Sequence, residues 1–266
     1  MIQYKHVRVN SLINKIVNKD ELFNGDYTID PYQNCETGCI YCDSSYEKTI
    51  YVKTNAVEIL KEELKQYNSG TIILGSVHDP YQKAEETYRL TRMILKTIKD
   101  YNFSCHILTK SNMVLRDMDI LSEMKQPRVT ISLTSINSRL SKIFEHGAPS
   151  PATRLQTVEK LNEKGVKSGV ALIPWLPYIV EGEIEDFIKT VKKHRADYVL
   201  HKYLELKGDQ KHIFFDVLKK YFPHLIKGYE KLYKNSYKPM DEYIYRVEEK
   251  ISVLCKINKI KENILK

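Results

Sequence analysis

Two hydrophobic periods alternate along this chain. Short apolar runs bounded by breakers give way to stretches in which apolar residues recur every three or four positions. Thr71-Ile72-Ile73-Leu74-Gly75, Ser104 to Thr109, Arg128 to Leu133, Lys167 to Ile173 and Tyr198-Val199-Leu200 are runs of the first kind. They read as strands buried on both faces. Val57 to Tyr67 places Val57, Leu60, Leu64 and Tyr67 on one helical face. Ala84 to Asp100, Met118 to Met124, Pro151 to Lys164 and Glu183 to His194 also read as helices. Pro151 suits a first helical turn, Gly165 follows a last one, and Pro174 is expected to stop its strand. Strands alternating with helices predict βα units and a parallel sheet. About six units fit between residues 30 and 205, too few for a closed eightfold barrel. The expected fold is therefore α/β, a partial (β/α)6 TIM-like barrel over residues 1–205. Residues 206–266 read as a mainly helical C-terminal extension, interrupted at Pro223 and Pro239.

In parallel barrels the chemistry sits at the carboxyl ends of the strands. Those ends here are Gly75-Ser76-Val77-His78-Asp79, Thr109-Lys110-Ser111, Ser132-Leu133-Thr134-Ser135 and Ala171-Leu172-Ile173-Pro174. The segment Glu145 to Arg154 follows the third of them. Glycine allows close backbone approach, hydroxyls can bond ribose oxygens, and lysine supplies a point charge for a carboxylate. A nucleoside with a charged tail suits that set. The expected cofactor-binding residues are Gly75, Ser76, Lys110, Ser132, Thr134 and Arg154. His78 and Asp79, at a strand end, read equally as lining the substrate side or as local structure. Glu145 and His146 read equally as ligands or as turn caps, and Trp175 as a base-stacking ring or as packing.

A single loop carries the most specific chemistry: Cys35-Glu36-Thr37-Gly38-Cys39-Ile40-Tyr41-Cys42. Its C-x3-C-x2-C spacing has no fourth cysteine nearby. Three thiolates can hold three irons of a [4Fe–4S] cluster and leave the fourth iron open to a ligand. Structural zinc needs four closed ligands, and the candidates for a fourth, His78 and Cys105, are remote in sequence. Five cysteines in a chain of this size do not make a disulfide scaffold. Cys105 and Cys255 lie in apolar runs and read as core.

Composition changes the picture in one region. The 266 residues carry a net charge of +8, with 42% apolar and 29% charged residues, an ordinary soluble balance. Residues 201–266 hold 15 Lys plus Arg against 9 Asp plus Glu, and seven of the 19 tyrosines. Basic residues interleaved with aromatics can track a phosphate backbone. A solvated lysine-rich helical face explains the same composition. No apolar stretch approaches a membrane span, and reduced thiols fit a cytoplasmic setting.

Several ordered segments together resemble the spore photoproduct lyase-like family of radical S-adenosylmethionine (SAM) proteins. They are Asp30-Pro31-Tyr32 leading into the cysteine loop, Asp79-Pro80-Tyr81-Gln82, Thr109-Lys110-Ser111 with Leu115-Arg116-Asp117, Ser132-Leu133-Thr134, Gly147-Ala148-Pro149-Ser150-Pro151 with Arg154-Leu155, and Tyr221-Phe222-Pro223. The resemblance implies a radical SAM barrel with Cys35, Cys39 and Cys42 as cluster ligands. It implies SAM contacts at Lys110 and Ser132, and a catalytic role for Tyr41 in handing on the radical. An electron donor such as flavodoxin or ferredoxin follows from the same chemistry. Two positions depart from the lyase pattern. Asp43 stands where the lyase has a second tyrosine, and Leu74 to Asp79 contains no hydrogen-donating cysteine. The substrate is then expected to differ from a spore thymine dimer. A nucleic acid or nucleotide is the first candidate, and a peptide or small metabolite the alternative. A nucleic-acid-binding protein with a structural metal is the reading from a different class.

Overall fold

The computed structural model describes residues 2–18, 22–45 and 47–264. Two sheets form. The smaller joins β1 (Gln3–Val7), β4 (Tyr32–Gln33) and β5 (Thr49–Lys53), in the order β1-β5-β4. The larger contains β2 (Asn14–Lys15), β3 (Tyr27–Ile29), β6 (Thr71–Leu74), β7 (Ser104–Thr109), β8 (Arg128–Ser132), β9 (Lys167–Trp175) and β10 (Val199–Tyr203). Its order is β10-β9-β8-β7-β6-β3-β2. The six strands from β3 to β10 pair in parallel with their neighbours in chain order, and only β2 is antiparallel. This is the open, partial barrel that the alternation of periods predicts.

The helices α1 (Ala56–Leu64), α2 (Ala84–Tyr88), α3 (Leu90–Asp100), α4 (Met118–Leu121), α5 (Ser138–Phe144), α6 (Pro151–Glu163) and α7 (Ile184–Lys193) cover the sheet. The single helix expected over 84–100 is two. Arg89 breaks it in a left-handed conformation, φ 49°. The buried Glu85 carboxylate then accepts the Thr91 and Arg92 amides at 2.9 and 3.2 Å, satisfying the start of α3. β9 runs through Pro174 to Trp175 rather than stopping, because pairing with β8 ends at Ala171. A missing N–H beyond that point costs no ladder bond on the β8 side. β1 escapes a hydrophobic reading because four of its five residues are exposed. β3 is only three residues long.

The helices α8 (Gly208–Tyr221), α9 (Ile226–Leu232) and α10 (Asp241–Ile257) follow β10. Leu206, Phe214, Leu218, Tyr229, Val247 and Ile251 join the same apolar core as the barrel strands. Phe144 of α5 stacks on Phe214 of α8 at 5.6 Å. Among the described residues, no helix is long and apolar enough to cross a membrane.

One buried polar chain crosses the barrel. His106 Nε2 lies 2.7 Å from the Thr130 hydroxyl, which lies 2.8 Å from the Tyr198 hydroxyl, and His106 Nδ1 meets the Phe23 carbonyl at 2.9 Å. Burial pushes His106 down to about 4. Between about pH 4 and 6.5 the native state therefore binds fewer protons here than the unfolded chain does. Stability is full above that window and falls as pH drops through it. The expected loss from this group is about 3 kcal/mol. Urea unfolding at pH 7 and pH 4.5 should show this, and His106→Asn should flatten the slope. An unchanged pH slope in that variant counts against the assignment.

Candidate active site

The cysteine loop begins immediately after β4, and hydrogen bonds pin it on every side. The Cys35 amide donates to the Ser44 carbonyl at 2.8 Å, and Ile40 to Phe144 at 2.9 Å. Gly147 donates to Thr37 at 3.0 Å. Gln82 staples the loop through its side chain, accepting from the Glu36 amide at 3.1 Å and donating to the Asn34 carbonyl at 3.0 Å. Gly38 sits at φ +69°, where a Cβ would lie 2.4 Å from the His146 ring. Any other side chain there would displace the loop or the ring. A rigid loop thus fixes the three thiols before anything binds them.

The thiols form part of the wall of a cavity of about 470 Å³, within the usual range for small-molecule sites. Facing them are Gly75 and Ser76 after β6, Lys110 after β7 and Ser132 at the end of β8. Asp30 accepts from the Ser76 hydroxyl at 2.9 Å and from the Val77 and His78 amides at 3.1 Å, folding the segment after β6. Asp79 does the same for β7. It accepts from the Thr109 hydroxyl at 2.6 Å and the Lys110 amide at 2.8 Å. The Asp-Pro-Tyr-Gln motif therefore shapes both the cysteine loop and the strand end that carries Lys110. Asp79 also lines the cavity, whereas His78 does not.

Beneath the thiols lies a buried ionic network. Glu145 is 1% exposed and receives hydrogen bonds from the Tyr41 hydroxyl and, at 3.0 Å, from the Thr134 hydroxyl. Arg154, fully buried, pairs with it at 2.7 Å and also donates to the Ser132 carbonyl at 2.9 Å. Lys110 Nζ is 4.0 Å from the same carboxylate and 5.8 Å from the centre of the Tyr41 ring. Burial opposes ionisation of Glu145, but Arg154 and Lys110 hold its carboxyl below the usual range. Burial likewise opposes the Lys110 charge, yet Cys39, Glu145 and Asp79 raise its pKa overall. Two residues expected among the cofactor contacts lie behind the wall instead. Thr134 and Arg154 do not line the cavity, because both turn inward to satisfy Glu145. Tyr41 does line it, through a ring whose hydroxyl is tied to that carboxylate.

The profile of the radical SAM superfamily matches residues 29–191. This chain belongs to the radical SAM superfamily. It is 27% identical over 95% of its length to an uncharacterized protein of Mycobacterium tuberculosis, covering 80% of that protein. Its fold is similar to that of spore photoproduct lyase complexed with dinucleoside spore photoproduct. The TM-score there is 0.67 and the identity 14%, over 96% of this chain and 79% of that one. It is also similar to Streptococcus suis SuiB bound to the precursor peptide SuiA, with a TM-score of 0.57 and 14% identity over 89% and 47% of the two chains. The protein is a radical SAM enzyme, and its family implies an iron–sulfur cluster and SAM.

The residues of this radical SAM enzyme fit such a group. Burial pushes the Cys35 and Cys39 thiols up, with the Lys110 charge the largest influence opposing it at Cys39. A buried thiolate needs a positive charge beside it, from a side chain such as Lys110 or from a bound metal. Among the described residues, no three His, Cys, Asp or Glu side chains converge enough to share one ion, as tetrahedral zinc requires. A [4Fe–4S] cluster takes each thiolate at a different iron. The other two thiols, Cys105 and Cys255, are buried and do not line the cavity. Trp175 is fully buried, with Tyr203 and Tyr243 at 6.5 and 6.1 Å.

Sequence reasoning passed over one wall. Lys202 and Tyr203 at the end of β10, with Glu205, Lys207 and Gln210 just after it, close the cavity on the far side. Applying the strand-end rule to the sixth parallel strand would have found them. Lys202 and Lys207 both pair with Glu205, at 2.9 and 2.5 Å.

Proposed function

We propose that this enzyme holds a [4Fe–4S] cluster on Cys35, Cys39 and Cys42, and SAM between Gly75, Ser76, Lys110 and Ser132. The observation that carries this reading is that all seven residues line one cavity. Such a cluster, held by these cysteines, would supply the electron for reductive cleavage of SAM, and the 5′-deoxyadenosyl radical released would take a hydrogen atom from the substrate. Lys110 offsets the carboxylate of SAM, and Asp79 fixes the backbone that presents it. Arg154 and Thr134 act from below, holding Glu145 and the end of β8. Tyr41 borders the reacting region, and its hydroxyl proton has a carboxylate acceptor in Glu145. Residues 202–210 form the substrate side, which joins a barrel over 1–205 to a basic extension over 206–266.

A nucleotide or nucleic acid is the first substrate candidate, supported by Lys202, Lys207 and the neighbouring tyrosines. Lys207 lies 4.7 Å from the centre of the Tyr237 ring. A peptide or small metabolite is the second, supported by the fold shared with SuiB. In either case Cys35, Cys39 and Cys42 are the only cysteines lining the cavity among the described residues. Repair of a spore thymine dimer that needs a thiol hydrogen donor is therefore not expected. A ferredoxin or flavodoxin in the cytoplasm is the expected source of electrons.

Anaerobically reconstituted protein with dithionite and SAM should release 5′-deoxyadenosine, and label from a deuterated substrate should appear in it. Absence of SAM cleavage with a full iron complement defeats the proposal. Lys110→Ala removes a charged hydrogen bond worth about 1.5–3 kcal/mol. SAM affinity should fall about 10- to 150-fold in that variant, with iron content intact. Unchanged affinity removes Lys110 from the site.

A further inference from the structure

A second concavity of about 910 Å³ lies between α5 and α8. It shares no lining residue with the thiol-lined cavity. Its floor is apolar: Ile40, Ile143, Ile213 and Val217 are all partly buried. Its rim carries the exposed cations Arg139, Lys142 and Lys220, the last 4.9 Å from the centre of the exposed Tyr221 ring. Among the described residues none of these three cations forms an ion pair, and the one acid, Asp216, is paired with Lys219 at 3.1 Å. The rim is therefore positively charged without internal compensation.

The placement of Ile40 gives this groove its meaning. Ile40 stands between Cys39 and Cys42 in the cysteine loop, and its amide bonds the last residue of α5. Tyr41, the next residue, lines the thiol cavity instead. Adjacent residues of one loop thus face the two concavities from opposite sides. A partner seated on the groove touches the backbone that carries the thiols while leaving the reaction cavity free.

We infer that this groove docks an acidic one-electron carrier protein, a flavodoxin or a ferredoxin. The inference rests on the proposed function, in which each SAM cleaved consumes one electron that the chain cannot supply. The carrier loses one electron from its reduced flavin or iron–sulfur centre, and the cluster gains it. No proton or other group moves in that step. Redox encounters use small interfaces, and charge complementarity governs how fast they form. An apolar floor ringed by cations suits such a partner. A nucleic-acid track is instead a charged groove set with stacking aromatics, and here the floor is aliphatic.

The test is charge reversal of the rim, Arg139→Glu with Lys142→Glu and Lys220→Glu, in reconstituted protein. Three exposed lysines elsewhere, Lys227, Lys231 and Lys256, changed to Glu serve as the control for net charge. Calorimetric affinity for a purified flavodoxin and a purified ferredoxin is measured at low and high salt. Carrier-driven and dithionite-driven 5′-deoxyadenosine formation are measured alongside. The rim variant should lose about 10- to 100-fold in affinity for a carrier and in carrier-driven rate. Its iron content and dithionite-driven rate should match the wild type, and wild-type affinity should weaken with salt. Unchanged affinity, an equal loss in the control, or no wild-type binding of either carrier overturns the inference. So does loss of single-stranded DNA binding with carrier affinity intact, which assigns the groove to nucleic acid. Carrier binding that depends on the rim, with no SAM cleavage under dithionite, leaves the docking surface standing and defeats the radical reading instead.

Discussion

Cys35→Ala, Cys39→Ala and Cys42→Ala are each expected to abolish iron–sulfur loading and SAM cleavage, while Cys105→Ala and Cys255→Ala retain both. Anaerobic reconstitution of the wild type should give about four irons and four sulfides per chain. The reason for total loss is geometric. The loop is fixed from several sides, by Ser44, Phe144, Gly147 and Gln82, so no other thiol can swing in to replace a missing ligand. Cys105 and Cys255 are buried and absent from the cavity wall. Iron and sulfide analysis, visible absorption and 5′-deoxyadenosine yield are the measurements. Full iron in any of the three loop variants, or a stable single zinc with no iron uptake, would sink the assignment.

Glu145→Gln is expected to be the most damaging change outside the cysteines. The glutamate is the common partner of Arg154, Tyr41 and Thr134, with Lys110 at 4.0 Å. Neutralising it leaves Arg154, whose side chain has no exposed surface, as an uncompensated buried cation. Breaking a buried pair in this way costs about 3–5 kcal/mol. For a chain of this size that corresponds to a Tm lower by of order 10 °C. Glu145→Gln combined with Arg154→Met should recover much of the loss, since a buried ion pair can be replaced by apolar packing. The double variant should still bind SAM more weakly than the wild type, because Lys110 has lost its neighbouring carboxylate. Chemical denaturation of the four proteins measures the coupling. A loss under about 1 kcal/mol for Glu145→Gln, or strict additivity in the double variant, would remove Glu145 from the centre of the network.

That network explains why Arg154 and Thr134 face away from the cavity. Arg154 and Thr134 are polar residues near strand ends, where a sequence reading looks for ligand contacts. What turned them inward is Glu145, a carboxylate that the chain buries. A buried charge must be paired, and the nearest cation and hydroxyl are taken for that purpose. Nothing in the local sequence distinguishes an arginine facing a ligand from one facing a buried glutamate nine positions away. The same limit applied to Asp79, whose hydrogen bonds to Thr109 and Lys110 cross between strands.

Local physics wrote the rest into the sequence directly. Apolar runs fix buried parallel strands, period-3.6 stripes fix covering helices, and their alternation fixes the barrel, because each signal arises among near neighbours. Cys35, Cys39 and Cys42 lie within eight residues, so the expectation that they share one cavity wall was legible from spacing alone. Strand-end position was enough to bring Gly75, Ser76, Lys110 and Ser132 to the same cavity, since parallel strands present their carboxyl ends together. Tertiary structure alone decided what depends on distant partners. It broke the helix at Arg89 through the Glu85 carboxylate, carried β9 past Pro174 where pairing with β8 had ended, and set exposed β1 against β5. It folded residues 202–210 over the cavity, and it placed α8 beside α5 to open the basic groove at Ile40. Those features rest on burial and pairing between segments far apart in the chain, where no sequence period carries a signal.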